Sequence, residues 1–132
     1  IDDIKQSYKG NDIQQRIRAC ALDHIDKRGT KYVILGGDSG PEGKGVVPDR
    51  DTRHPNFRYA DIPTDVYYIS QKNWDANQDG TYGNWDDDRK AVSYTHPMAC
   101  IGRIPVRTAE DVKAYTDKVI SYESRSCGHS EA

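Results

Sequence analysis

The stretch Lys31-Tyr32-Val33-Ile34-Leu35-Gly36 decides the fold class of this 132-residue chain. Its unbroken apolar run is typical of a parallel strand that helices cover on both faces. Apolar residues before it recur at a spacing near 3.6 and predict a helix over about residues 12–27, which Gly29 closes. These apolar residues are Ile13, Ile17, Cys20, Ala21 and Ile25. A helix joined to a strand by a short glycine turn is half of an α/β repeat.

Later stretches predict further strands. Three stretches are rich in apolar residues and have the length of a strand: residues 65–70, residues 98–104 and the shorter Val46-Val47-Pro48. Because no strand leads into the first helix, we expect the first strand of the sheet to precede residue 1. Together the elements predict an α/β fold with a mostly parallel sheet that is open and incomplete in this chain.

The predicted helices carry recognisable end signals. Asn11 is a candidate N-cap for the first helix, and residues 1–10 predict an irregular lead-in. Thr108, with Asp111 three residues later, resembles a capping box and predicts that a second helix opens there. That helix continues to about residue 123, because apolar residues recur along it at spacings of three and four.

Composition limits the classes of function. The formal net charge is −2, which argues against nucleic-acid binding as the main role. The sequence has no run of about 18 apolar residues, so no membrane span is expected. The chain starts at Ile1 and not at Met, which favours an excised, processed or truncated segment of a longer protein.

The cysteines do not predict a disulfide framework, because three widely spaced residues cannot all pair. Cys20 and Cys100 lie in apolar patterns and are predicted to be small core residues, with Cys100 buried and inert. Cys127 lies in a polar tail and is either free or paired outside this chain. His129 follows Cys127 closely, but a frayed tail lacks the rigid support that a catalytic pair needs.

Asp75-Ala76-Asn77-Gln78-Asp79-Gly80-Thr81-Tyr82-Gly83-Asn84-Trp85-Asp86 is the segment whose spacing matches a metal-binding pattern. It places oxygen side chains at loop positions 1, 3 and 5, Gly at 6 and a carboxylate at 12, as in calcium loops, with Asp replacing the usual Glu. The alternative is a solvated acidic turn, since Asp, Asn and Gly are ordinary turn residues. The predicted cofactor is therefore Ca²⁺, bound with modest affinity. Its predicted ligands are Asp75, Asn77, Asp79, Thr81 and Asp86.

Asp38 directly follows the central strand, at the end where open parallel sheets carry ligands and chemistry. It is either a metal ligand or site-organising carboxylate, or a cap for the loop after it. That loop, residues 39–65, is rich in Gly and Pro, and structureless loops of this length are usually functional or disordered. Its charged residues predict a solvated rim. They are Asp49, Arg50, Asp51 and Arg53.

Seven segments, in order, carry a family resemblance over about residues 4–124. They are Gly10-x-Asp12-x-Gln14-x-x-Ile17-Arg18, Tyr32-Val33-Ile34-Leu35-Gly36-Gly37-Asp38, Val47-Pro48-x-Arg50, Thr64-Asp65-Val66-Tyr67-Tyr68, the loop of residues 75–86, Ile101-Gly102-Arg103-Ile104-Pro105-Val106-Arg107-Thr108, and Val119-Ile120-x-Tyr122-Glu123. With these segments the chain resembles the gingipain-like cysteine peptidases, family C25. The strand end Gly36-Gly37-Asp38 and the segment from Gly102 to Thr108 are the most specific.

The resemblance implies a caspase-like three-layer α/β/α sandwich, secretion or a cell-surface location, protein or peptide substrates, and calcium as a structural ion. It also implies that residues 1–124 are the amino-terminal subdomain of the peptidase domain, followed by a flexible tail at 125–132. In this family the catalytic His and the nucleophilic Cys follow the helix end that matches Tyr122-Glu123. We therefore expect no catalytic residue in this chain and expect the downstream remainder of the domain as its partner.

Two functional hypotheses result. The first is a fragment or subdomain of a secreted cysteine peptidase, in which a downstream Cys/His dyad hydrolyses peptide bonds and this chain supplies part of the sheet and a calcium clamp. The second is a non-catalytic, calcium-stabilised α/β binding module of a secreted or surface protein. On the first hypothesis the chain alone is inactive although its parent is an enzyme.

Overall fold

The computed structural model describes residues 1–40, 44–53, 62–88 and 97–125. Along the chain it contains α1 (Asp2–Ser7), α2 (Ile13–Arg28), β1 (Tyr32–Gly36), β2 (Arg50–Thr52), β3 (Ile62–Thr64), a 3₁₀ helix (Val66–Ile69), α3 (Trp85–Asp88), β4 (Cys100–Ile104) and α4 (Ala109–Ser124). The predicted tail at 125–132 lies outside the described residues apart from Arg125. None of the helices in these ranges has the length and apolar character needed to cross a membrane.

The central sheet is a parallel pair of β1 and β4, in which Tyr32 lies opposite Cys100 and Gly36 opposite Ile104. This pairing, with helices α2 and α4, confirms a mixed α/β fold with a short parallel sheet. A second, antiparallel pair joins β2 to β3. Residues 39–65 were predicted to be a loop with a candidate short strand at Val46-Val47-Pro48, so this pair was not predicted. The strand was missed because Arg50-Asp51-Thr52 shows no apolar alternation.

Helix α2 matches its prediction closely, but its N-cap is Asp12 and not Asn11. Asp12 is extended and its Oδ1 accepts a hydrogen bond from Gln15 N at 2.7 Å, which satisfies a free N–H of the first turn. At the other end Gly29 has φ 66°, the left-handed conformation that glycine adopts without strain. Helix α4 also begins as predicted, with both hydrogen bonds of the Thr108 capping box present.

Three predicted local structures are wrong. Residues 2–7 form helix α1 and not an irregular lead-in, and Val46-Val47-Pro48 is not a strand. Residues 66–69 form a 3₁₀ helix and not a strand. The turn is set by Thr64 Oγ1, which accepts from Val66 N, and by Asp65 O, which accepts from Tyr68 N at 3.0 Å. This helix buries three successive side chains, whereas a strand turns successive side chains to opposite faces.

The core is built as much from rings as from aliphatic side chains. Tyr67 lies at its centre, with edge-to-face contacts to Tyr68, Trp74 and Tyr82 at centroid distances of 5.6, 5.5 and 5.8 Å. The buried cluster consists of Ile17, Leu35, Val47, Tyr67, Tyr68 and Trp74. Helix α2 and the 3₁₀ helix form its walls, so the segment misassigned as a strand supplies much of the core.

One face of the parallel pair is uncovered, contrary to the prediction that helices cover both. Leu35 is buried, but Tyr32 is 76% and Ile34 67% exposed. Cys100, predicted to be buried, is also exposed at the start of β4. Within the described residues, therefore, the long apolar run of β1 meets the core on one side only. The sequence pattern fits a strand whose second face is completed by something else.

Candidate functional site

The predicted calcium loop, residues 75–86, follows the 3₁₀ helix and ends in the first turn of α3. Its acidic side chains turn back onto the loop backbone. Asp75 Oδ2 accepts from Gly80 N at 3.2 Å, and Asp79 Oδ1 accepts from Thr81 N at 2.7 Å. Gly80 has φ 82°, a conformation in which a larger side chain would be strained. The loop is therefore folded around its own acidic residues.

The chemistry of these oxygens suits a hard cation. Asp75 Oδ1 is buried and has no hydrogen-bond partner among the described residues. A buried carboxylate oxygen without a partner is unfavourable unless a donor or a cation faces it. The backbone N–H of Thr81, followed by the Asn77 side chain, lowers the pKa of Asp79 below its usual range. Asn77 itself holds Asp79 through Nδ2 at 2.8 Å. Asp75, Asn77 and Asp79 therefore form one oxygen-rich group.

Of the two other predicted ligands, Thr81 is hydrogen-bonded to Asp79 through its backbone N–H, and Asp86 lies apart in the first turn of α3. Its side chain is exposed, and its backbone N–H donates to Asn84 Oδ1 at 3.4 Å. Among the described residues, no three His, Cys, Asp or Glu side chains converge as a metal-binding group. Hence Asp86 does not meet Asp75 and Asp79. A cation here would depend on amide and backbone oxygens as well, and the full ligand set stays a prediction.

Asp88 is a residue that the sequence did not single out. It lies two positions beyond the twelve-residue pattern, yet it is fully buried at 0% exposure. Its Oδ1 accepts from Ala76 N at 2.7 Å and its Oδ2 from Asn84 N at 3.0 Å. The one available signal was the acidic run Asp86-Asp87-Asp88, which does not reveal which member turns inward.

Arg50 is the largest error in the predicted charged rim. It is 7% exposed, and its Nη2 contacts both carboxylate oxygens of Asp12, at 2.9 and 2.8 Å. Its guanidinium carbon lies 4.6 Å from the ring centre of Tyr67 and 3.8 Å from that of Tyr82. Tyr82 belongs to the calcium loop, and its hydroxyl accepts from Gln15 Nε2 at 2.6 Å. Arg50 therefore joins the loop to the start of α2.

The carboxyl ends of β1 and β4 form a second polar cluster. Asp38 accepts a hydrogen bond from the Arg107 guanidinium and, through Oδ1, one from Val46 N at 3.3 Å. The Arg107 contact holds the pKa of Asp38 below its usual range. Asp38 therefore caps the loop after β1, as one of its two alternatives predicted, and it also pairs with a charge from the neighbouring strand end. Its role as a metal ligand or site-organising carboxylate stays a prediction.

Arg103 ties the same edge to the core. Its Nε and Nη2 donate to the two oxygens of Asp65 at 2.8 and 2.5 Å, a bidentate pair. Its Nη1 donates to the carbonyls of Gly37 and Val47. This edge is therefore preorganised by two arginines, Arg103 and Arg107, where α/β sheets place their sites.

The thiols offer no catalytic pair within the described ranges. Cys20 and Cys100 are free, the first half-buried on α2 and the second exposed. His24 is the only histidine in these ranges, and no hydrogen bond joins it to either thiol. Cys127 and His129 lie outside the described residues. The described part of the chain thus positions a loop and a sheet edge but no nucleophile with its base.

Comparison with known proteins adds the family. The family model described as Peptidase family C25 matches residues 1–131, essentially the whole chain. Neither the curated proteins nor the solved structures gave a significant match.

Proposed function

The chain belongs to peptidase family C25, and from that premise we propose that it is the amino-terminal part of a secreted cysteine peptidase domain. The catalytic Cys and His are contributed by residues outside this chain. The thiolate attacks the peptide carbonyl and the imidazole acts as the base. This chain contributes half of a three-layer α/β/α sandwich, a wall of the site and a calcium-stabilised loop. Its substrates are proteins or peptides.

The observation that carries this proposal is the uncovered apolar face. Tyr32 and Ile34 on β1 are exposed, and Val112 and Ile120 on α4 are 50% and 58% exposed. A groove of about 370 Å³ separates α4 from the ends of β1 and β4, and its lining is almost entirely apolar. Burying one large apolar side chain contributes about 1.5–3 kcal/mol, so this face favours a covering partner strongly. The rest of the peptidase domain is the occupant that family membership supplies.

The test joins activity to assembly. With the rest of the parent protein present, Ile34→Asp should abolish peptidase turnover and co-purification with the remainder of the domain. Gln71→Asp places the same charge at an exposed position away from this face and should leave both unchanged. Normal turnover by the Ile34 variant would refute the covered-face proposal. The 132-residue chain alone should cleave no peptide, with or without a reductant.

The alternative function is a non-catalytic, calcium-stabilised binding module. The observation that favours it is the oxygen-rich loop with the partnerless buried oxygen of Asp75, which needs no catalytic residue to be of use. A cysteine-directed, peptide-based covalent probe distinguishes the two. Labelling of the parent protein, blocked by peptide substrate, supports the peptidase. A parent that is never labelled and never cleaves supports the module.

We propose that Ca²⁺ binds the loop through Asp75, Asn77 and Asp79, with Thr81 contributing a backbone oxygen. Asp86 lies apart from these residues in the structure and completes the site by moving toward the ion when it binds. The partnerless buried oxygen of Asp75 supports this assignment. A single-oxygen Asp at the last position suits the millimolar calcium of extracellular modules, which agrees with secretion. Bound calcium would supply positive charge that fixes the loop, a structural role and not a catalytic one.

Calcium should raise the melting temperature of the chain and a chelator should reverse the rise, because a ligand that binds only the folded state stabilises it. Asp79→Ala should remove the calcium-dependent rise. Asp26→Ala, an exposed acidic residue on α2, is the matched control and should keep it. An unchanged melting temperature in millimolar calcium would rule out the calcium proposal.

A further inference from the structure

Asp88 is a buried carboxylate that the calcium pattern does not use. Both of its carboxylate oxygens accept backbone N–H groups, and no ion pair to it is present among the described residues. Its neighbours Asp86 and Asp87 on α3 are exposed. Burying a carboxylate carries a large desolvation penalty, which the two hydrogen bonds from backbone N–H groups offset. Asp88 therefore stays buried only while these two N–H groups are held against it.

The two N–H groups come from opposite ends of the loop. Ala76 is the second residue of the twelve-residue pattern and Asn84 is the tenth. A third bond draws the same ends together, because Gly83 N donates to Trp74 O at 2.6 Å. A single side chain thus bridges the entry and the exit of the loop. In addition, the backbone N–H of Asp88 donates to Asn84 O at 2.7 Å, which anchors the carboxylate to the segment it holds.

We propose that Asp88 is the positioning residue of the calcium loop. It holds the two ends of the loop closed before the ion arrives, and it does not itself bind the ion. This inference rests on the calcium site proposed above. Closing a flexible loop costs conformational entropy, and a closure already made by protein groups removes that cost from the binding step. Loss of a group that orients metal ligands typically weakens metal binding about 10–100-fold.

The variant Asp88→Asn keeps the size of the side chain but sets an NH₂ group against one of the two N–H donors. We expect it to weaken calcium binding by about 10–100-fold in isothermal titration calorimetry of the full chain. We also expect its melting temperature in chelator to fall, because the hydrogen bonds between Asp88 and the two ends of the loop form without the ion. Asp26→Asn removes a carboxylate from the exposed side of α2, outside the loop, and should leave both quantities unchanged.

The outcomes separate this role from its alternatives. If Asp88→Asn binds calcium as tightly as the wild type, the proposal is overturned. If its binding weakens while the chelator melting temperature stays the same, Asp88 is a ligand and not a positioning residue. If the wild type binds no calcium but Asp88→Asn still melts early, the calcium proposal has failed and Asp88 is a structural clamp alone.

Amide hydrogen exchange of the wild type keeps the test decisive if Asp88→Asn does not fold. In chelator, the Ala76 and Asn84 amides should already exchange slowly, because their hydrogen bonds do not wait for the ion. The Asp79 amide, whose partner Asn77 Oδ1 lies 3.3 Å away on the exposed side of the loop, is the comparison and should slow mainly on calcium addition. Fast exchange at the Ala76 and Asn84 amides without calcium would contradict the proposal that Asp88 holds the loop ends together before the ion binds.

Discussion

Replacement of Arg50 by methionine should destabilise the chain although the residue was expected on a solvated rim. Methionine keeps much of the unbranched stem and removes the guanidinium. The change removes two cation–π contacts, to Tyr67 and Tyr82, and the ion pair with Asp12. The Arg50 side chain is 9% exposed and that of Asp12 is 34% exposed, so water screens the pair from one side only.

The magnitude follows from these contacts. Two partly desolvated cation–π contacts contribute about 0.5–2 kcal/mol each. A half-screened ion pair adds about 1 kcal/mol, well below the value for a fully buried pair. Against this, Arg50 Nε is buried without a hydrogen-bond partner among the described residues, and its removal recovers about 1 kcal/mol. The net expectation is a loss of about 2 kcal/mol, or roughly 6 °C in melting temperature for a chain of this size.

Urea unfolding followed by tryptophan fluorescence measures this loss, because Trp74 is buried against the same ring cluster. The measurement belongs in chelator, so that calcium does not contribute. Arg53→Met, an exposed arginine just after β2, is the matched control and should change the unfolding free energy by less than about 0.5 kcal/mol. Arg50→Lys keeps the charge but not the flat stacking surface, and should lose about 1 kcal/mol.

A double-mutant cycle with Tyr82→Leu tests the physical cause. If Arg50 stacks on Tyr82, the two losses should be non-additive by about 1 kcal/mol, the size of one cation–π contact. Additive losses would refute the stacking argument. An Arg50→Met variant as stable as Arg53→Met would refute the whole assignment of Arg50 to the core.

Three further predictions concern titration and reactivity. Burial, with hydrogen bonds to Cys20 and Asp23, raises the pKa of Tyr8 to about 12. The free energy of unfolding should therefore fall as the pH rises above about 10, where the tyrosine of the unfolded chain ionises. Tyr8→Phe should flatten that fall. Backbone N–H groups of Thr108 and Arg107 lower the pKa of Asp111, so helicity at 222 nm should be retained above about pH 4 and decline below it, less steeply in Asp111→Asn. In a Cys127→Ser background, a maleimide should label the exposed Cys100 before the half-buried Cys20, and equal rates would contradict the position of β4.

The elements that sequence reasoning placed correctly are those with a local signal. Helix α2 has apolar periodicity and a closing glycine, and α4 has a capping box. Strand β1 has an unbroken apolar run, and β4 lies in an apolar stretch that Gly102 and Arg103 interrupt. Each signal is a property of a few adjacent residues, so it needs no tertiary information. The parallel character of the sheet was also predicted, although the pairing of β1 with β4 was not, and the long excursion between these strands allows parallel pairing.

The failed predictions share a different cause, which is that secondary structure and burial were both inferred from residue type alone. Residues 66–69 were read as a strand because they are apolar, although the Thr64 hydroxyl and the Asp65 carbonyl organise a turn. Arg50 was predicted on a solvated rim because it is charged, and nothing in the sequence singled out Asp88, although both are buried. In each case the deciding partner lies elsewhere in the fold or in a local hydrogen bond that competes with propensity. The prediction for Cys100 is wrong in the opposite sense, since it was expected to be buried and is exposed. Apolar neighbours in the sequence do not guarantee that another layer covers the strand.

Two buried charges, Arg50 and Asp88, and the half-buried Arg18 act together on one segment of the chain. With only 35% hydrophobic residues, the chain lacks aliphatic side chains to fix a long excursion between sheet strands by packing alone. Arg18 on α2 fixes the entry to the loop, since its Nε and Nη2 donate to Ser70 O and its Nη2 to Lys72 O. Arg50 fixes the middle through Tyr82, and Asp88 fixes the exit. Arg18 and Arg50 also lie against the Tyr67 ring in the core. The loop and the core therefore share the same two arginines, and we expect them to fold and unfold together. An ion bound in the loop would therefore stabilise helix α2 and the aromatic core as well as the loop itself.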